Sequence, residues 1–180
     1  MLYRASHLWA RIEVFLAATF AALITGLILL NVVTRSTGNA IYWVDEAAIY
    51  AMVWMCFLAA SAAIHYRSTI AVTVVNEFVP APVRYWMERG VDVVIFMFAC
   101  LMVWICLRWF MPLQLMEAGW DIKAFQGNTF NFIYAEPTNT LGIKKVWVWL
   151  VMPVFTLGAL LHTTANLFHP GHAAQVEAAE

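Results

Sequence analysis

Charge is what this sequence has least of. Asp, Glu, Lys and Arg make up 12% of its 180 residues, against roughly a quarter in an ordinary soluble domain. With 63% hydrophobic residues and a mean hydropathy of +0.75, a water-soluble fold would leave too little polar surface to face solvent. The net charge of −1 removes any electrostatic case for nucleic acid or an anionic membrane surface. Cysteine is scarce too. Cys56, Cys100 and Cys106 all fall in apolar stretches and form no CxxC pair, which excludes a disulfide scaffold and leaves small packing residues. No repeat of solenoid period is present. There is no signal-peptide cleavage pattern either, because the first apolar run is too long and lacks the small-residue motif.

What the chain has instead is long apolar runs. Trp43 to Arg67 opens with an interfacial aromatic and two acids, Asp45 and Glu46. It then continues for about 18 uncharged residues, enough at 1.5 Å per residue to cover most of a bilayer's hydrocarbon. Three further runs repeat the pattern. The expectation is an all-α membrane protein, a single integral domain over 1–180. Its four antiparallel spans fall at about 13–35, 46–66, 90–108 and 146–168, with a long loop over 110–145 and a frayed tail over 169–180. Met1 to Ile12 reads as a short basic arm. Ser68 to Arg89 reads as an interfacial helix or extended surface segment, ending at Pro80 and Pro82. In the long loop, the aromatics around Gly127–Asn128 suggest a small ordered excursion such as a hairpin. Pro153 is expected to disturb the last span.

Four spans put both termini on one side. Lysines and arginines divide five against five between the two sides. Arg4 and Arg11, next to the first span, favour a cytoplasmic amino terminus.

The chemistry available is thin. Transport paths place ionisable groups inside the membrane, whereas here every Asp, Glu, Lys and Arg reads as lying at a span edge. Interrupted inverted repeats around a midplane site are missing as well. Arg35 and the Asp45–Glu46 pair share one face, where an ion pair would register the first hairpin. Asp92, about one turn into the third span, is expected to meet a cation, Arg67 or Arg89. Together Arg35, Trp43, Asp45, Glu46, Trp54, Arg67 and Asp92 form the candidate structural and partner interface. No catalytic, metal or substrate-binding set is evident, and neither enzymatic activity nor a cofactor is expected.

His65 and His162 approach the same face and raise one alternative, a haem- or quinone-associated four-helix anchor. Small residues at Ala47, Ala51, Ala59 and Ala63, and at Ala17, Ala18, Ala21, Ala22 and Gly26, allow close helix approach.

The order of these features resembles the small permease subunit of tripartite ATP-independent periplasmic (TRAP) transporters, the DctQ-like family. The resemblance rests on NVVTR at Asn31 to Arg35 and on Trp43 to Val72, with its W-x-x-E, FLAAS and R-x-x-I-x-V elements. It continues in LGIKKVWVWLVMPVFTLGALL at Leu141 to Leu161. The sequence departs from the family at Thr69 and Thr73, which replace two usual polar positions. The loop between spans three and four also looks long. What the resemblance implies is a multi-pass inner-membrane subunit that binds a large permease subunit. It would act with a periplasmic substrate-binding protein in sodium-coupled uptake of an organic anion. It also implies that Glu46 is the acid that matters for Arg35.

Overall fold

The computed structural model describes residues 1–67 and 80–168, the side chains of residues 81, 82 and 84 excepted. The expectations for residues 68–79 and for the tail from His169 therefore lie outside the described residues, whereas residues 81–89, expected to belong to the surface segment, are the first turns of the third long helix.

Among the described residues, four helices are long and apolar enough to cross a membrane. α1 spans Leu2–Ser36 and α2 spans Trp43–Tyr66. α3 spans Ala81–Phe110 and is followed by the short α4, Pro112–Glu117. α5 covers Ile122–Thr129. The last long helix is made of α6, Val146–Trp149, and α7, Val151–Phe168.

At about 1.5 Å per residue, the 35 residues of α1 measure about 52 Å. The basic arm is thus no separate arm but the first turns of the same helix. α1 ends where Gly38 adopts φ 77° and its amide bonds the Arg35 carbonyl at 3.2 Å. Asn39 N bonds Thr34 O at 2.9 Å, so the orphan carbonyls of the last turn are satisfied within the connection to α2.

Two further boundaries have local causes. Met111, at φ 45°, stops α3, and Pro112 restarts the chain as the first residue of α4. The final helix is interrupted at Leu150, just before Pro153. A proline cannot donate to the carbonyl four residues earlier, here Trp149, and its ring crowds that carbonyl. Regular bonding resumes with Val154 N to Leu150 O at 3.3 Å.

The long loop is ordered, but not as a hairpin around Gly127–Asn128. Both residues lie inside α5. Asp121 accepts from the amides of Lys123 (2.8 Å) and Ala124 (3.4 Å), capping the helix start. Phe125 is fully buried, with its ring 5.3 Å from that of Tyr134. A cap and a buried anchor on one face favour helix there. Among the described residues, strand-like pairing is limited to the bridge Pro137–Lys144. The loop also serves α3. Asn131 Nδ2 donates to Trp109 O at 2.7 Å and the Tyr134 hydroxyl to Phe110 O at 2.6 Å, closing that helix's last carbonyls.

α7 is the hub, packing against α1, α2 and α3. Ala99, Phe155 and Ala159 form a small buried cluster flanked by Phe57, Ile64 and Leu160. The most apolar window of the last helix is 44% buried, whereas that of α1 is 0% buried. Lipid or another chain must therefore be the solvent for the outer part of α1.

Candidate functional site

The polar residues gather at the two ends of the bundle, and each end is built differently. At the α1–α2 turn, Arg35 Nη2 meets Asp45 Oδ2 at 2.5 Å, and Arg35 Nε donates to Asn31 Oδ1 at 2.8 Å. Asn31 Nδ2 also donates to Asp45, closing a three-residue knot. The knot is open to its surroundings, with side-chain exposures of 58% for Arg35 and 46% for Asp45.

Glu46 is not part of it, contrary to the expected pairing with Arg35. Adjacent helical residues point about 100° apart, so only one of two consecutive acids can face the end of α1. Asp45 does. Glu46 turns toward the loop before α6, where its Oε1 accepts from Asn139 N at 2.8 Å and from the Tyr50 hydroxyl at 2.7 Å. Its Oε2 accepts from Thr140 N and Thr140 Oγ1, both at 2.6 Å, and from Leu141 N at 3.1 Å. Three consecutive amides on one carboxylate make Glu46 the latch of that loop. Beside it Lys145 Nζ pairs with Glu136 Oε1 at 2.6 Å.

At the other end, Asp92 is buried and meets Arg67 Nη2 at 2.6 Å and Arg89 Nη1 at 3.7 Å, as its position in the sequence suggested. Arg67 also lies 3.8 Å from Glu88. Arg89 donates to Asn166 O at 3.3 Å, and Asn166 Nδ2 donates to Ile64 O at 2.9 Å. The ends of α2, α3 and α7 are tied by this chain. The two aromatics of the candidate set behave differently. Trp43 is 43% exposed, while Trp54 is half-buried with its ring 6.0 Å from that of Phe20 across the α1–α2 contact.

Deeper in the same end lies a cluster of which the sequence showed only that His65 and His162 share a face. Ser6 and Glu13 of α1, Ser61 and His65 of α2, and His162 of α7 are all buried. Ser6 Oγ is 2.7 Å from Nδ1 of both His65 and His162, and His162 Nε2 is 2.9 Å from Glu13 Oε2. Glu13 looked like a residue of the span's edge; it is an acid with no exposed surface inside the bundle. A signal existed in the sequence. Ser6, Ala10, Glu13 and Ala17, the buried residues of α1, follow a 4-3-4 spacing that places them on one face.

Gly158 makes the cluster possible. A Cβ there would stand 2.5 Å from Glu13 Oε1, 2.6 Å from Ser61 Oγ and 2.8 Å from Trp9 Nε1. These three buried atoms have no hydrogen-bond partner among the described residues and crowd the glycine instead. The donor set does not suit a bis-histidine haem. Both ring nitrogens of His162 are already engaged, by Ser6 and by Glu13, so no lone pair remains for iron.

Residues 24–170 match the family described as Tripartite ATP-independent periplasmic transporters, DctQ component. No curated protein and no solved structure matches the chain.

Proposed function

Because the chain belongs to the DctQ family, the small, non-enzymatic, multi-pass membrane component of TRAP transporters, we propose that it scaffolds the large permease subunit. In this reading the large subunit carries the substrate. The transported molecule is an organic anion delivered by a periplasmic binding protein, and uptake is sodium-coupled. Both chain termini face the cytoplasm, and the loop over 118–145 faces the periplasm.

The observation that carries the scaffold role is the surface of α1. None of its most apolar window is buried by its own chain, and Leu23, Ile28, Leu29, Val32 and Val33 all lie exposed along it. A long helix with a free apolar flank is what a membrane partner can cover by van der Waals packing. The charge pattern supports the same division of labour. Asp92 is paired with Arg67 and Arg89 within the chain, so it is not free to compensate a passing ion. Glu46, Trp54, Arg67 and Asp92 then act from inside, setting helix register. Trp43, Arg35 and Asp45 stand at the exposed end, where a partner could reach them.

Reconstitution of the large subunit and binding protein, with and without this chain, tests the proposal. Sodium-driven uptake is expected only with all three. Uptake by this chain alone would overturn the division of labour, and full uptake without it would remove the scaffold role. Reporter fusions at residue 125 and at the carboxyl terminus test the orientation separately. A periplasmic signal from the carboxyl terminus would reverse it.

A further inference from the structure

We propose that Glu13, His162, Ser6 and His65 form a buried proton relay, loaded from the end of the bundle at which α1 begins and terminating at the Glu13 carboxylate. The four groups are linked by three consecutive contacts of 2.7, 2.7 and 2.9 Å. Ser6, Glu13 and His162 have no exposed surface. His65 is 7% exposed, and its ring centroid lies 5.6 Å from that of the exposed His7 and 5.5 Å from that of Tyr3. The line therefore has an outer end, at His65 and His7, and a closed inner end.

The chemistry of the four groups gives it two complete hydrogen-bonded states. In the first, His65 donates its Nδ1 proton to Ser6, and the Ser6 hydroxyl donates to His162 Nδ1. His162 Nε2–H then donates to the Glu13 carboxylate. A proton arriving at His65 Nε2 reverses every bond. The Nδ1 proton of His65 moves to Ser6 Oγ, the Ser6 proton moves to His162 Nδ1, and the Nε2 proton of His162 moves to Glu13 Oε2. One proton has then been added, at His65 Nε2 on the way in and on Glu13 at the end. Each N–H or O–H bond broken is replaced by one formed. No oxidant or other reactant is required, and no contact is lost in either state.

Two features favour a relay over a static knot. The line ends at a carboxyl group with no exposed surface, packed against imidazole rings, where a net charge would be costly to hold. Glu13 Oε1 also has no donor among the described residues, although it is buried beside Trp9 Nε1 and Ser61 Oγ at Gly158. The inner end thus has unused acceptor capacity. Among the described residues, the titratable groups facing the line are Tyr3, His7 and Glu13 from α1, His65 and Tyr66 from α2 and His162 from α7.

The test is the full-length chain, labelled with 15N-histidine, in lipid nanodiscs at about pH 8 and about pH 5. The expected signature is reciprocal: the His65 proton moves from Nδ1 to Nε2 while the His162 proton moves from Nε2 to Nδ1. Both rings keeping their tautomers, or His65 gaining a proton with His162 unchanged, would overturn the relay. Isotope labelling of glutamate adds an infrared readout, a protonated carboxyl that appears after a drop in pH and is absent from Glu13→Gln. Ser6→Ala should slow its appearance by roughly a hundredfold. An unchanged rate in Ser6→Ala refutes passage through the hydroxyl, and the wild-type tautomer measurement decides the matter even where the variants fail to fold.

Discussion

Replacing Gly158 with alanine puts one methyl group where α7 meets α1 and α2. Its carbon would lie 2.5 Å from Glu13 Oε1, 2.6 Å from Ser61 Oγ and 2.8 Å from Trp9 Nε1. An ordinary C···O contact is about 3.3 Å, so the carboxylate oxygen must withdraw by about 0.8 Å. It cannot swing freely, because its other oxygen is held by His162 at 2.9 Å. Overpacking of this kind costs about 1–3 kcal/mol, and alanine's preference for the helix returns at most about 1 kcal/mol.

With three neighbours displaced together, the net loss is about 2 kcal/mol. That corresponds to a melting temperature lower by about 4–8 °C for a chain of this size. Gly26 supplies the control, since a Cβ there meets nothing within 4 Å. Gly26→Ala should be neutral or slightly stabilising. Thermal unfolding of both full-length variants in the same detergent is the assay. If Gly158→Ala melts at or above Gly26→Ala, the close approach of α7 to α1 and α2 is wrong.

Glu46→Ala should release the loop before α6, whereas Asp45→Ala opens only an exposed pair of the kind worth less than about 1 kcal/mol. Amide exchange at Asn139, Thr140 and Leu141 reads the difference, and equal protection in both variants would dismiss the latch. Asp92→Ala leaves Arg67 and Arg89 without their shared carboxylate. Both arginines keep about a fifth of their side-chain surface exposed, which softens the usual loss for a buried pair to about 1–3 kcal/mol; an unchanged melting temperature would contradict it. Burial pushes the Tyr134 phenol up from its usual value near 10. The neutral form is therefore favoured by folding, and its contribution to stability is complete below pH 10 and lost as pH rises through the folded-state value. Absorbance titration should show Tyr134 ionising after the exposed tyrosines, and Tyr134→Phe should cost about 1 kcal/mol by orphaning Phe110 O.

Helix positions were legible from the sequence because run length and hydropathy decide them locally. Arg67 with Asp92 was legible too, since each charge sits at the end of a span whose direction is fixed by counting. Asp45 against Glu46 was not. Which of two adjacent acids faces α1 depends on the rotation of α2, and α2 is apolar nearly all round. The family motif suggested Arg35 as the partner of Glu46, whereas the amides that Glu46 binds lie more than ninety positions away. Aromatics flanking Gly127–Asn128 favoured a turn, and the Asp121 cap with the Phe125 anchor overrode them. Ser6 was hidden in a stretch that reads as an arm, and Glu13 at what reads as the edge of the first span. Once the helix is known to start at Leu2, they fall on one face.

The uneven burial of α1 has a consequence for how this chain can vary. Its buried residues all lie before position 18, so one continuous helix is subject to two sets of demands. The first half must satisfy its own bundle atom by atom, and a change at Ser6 or Glu13 has no neighbour able to absorb it. The second half is only partly covered by its own chain, through one face against α2 that includes Phe20 on Trp54, the turn at Gly38 and the small knot at Arg35. Apolar residues there can be exchanged for others of different shape with little loss of the bundle's own integrity, and whatever covers them sets the limits. A small subunit built this way can be refitted to a changed partner by rewriting half of one helix, leaving the fold that presents it as it was.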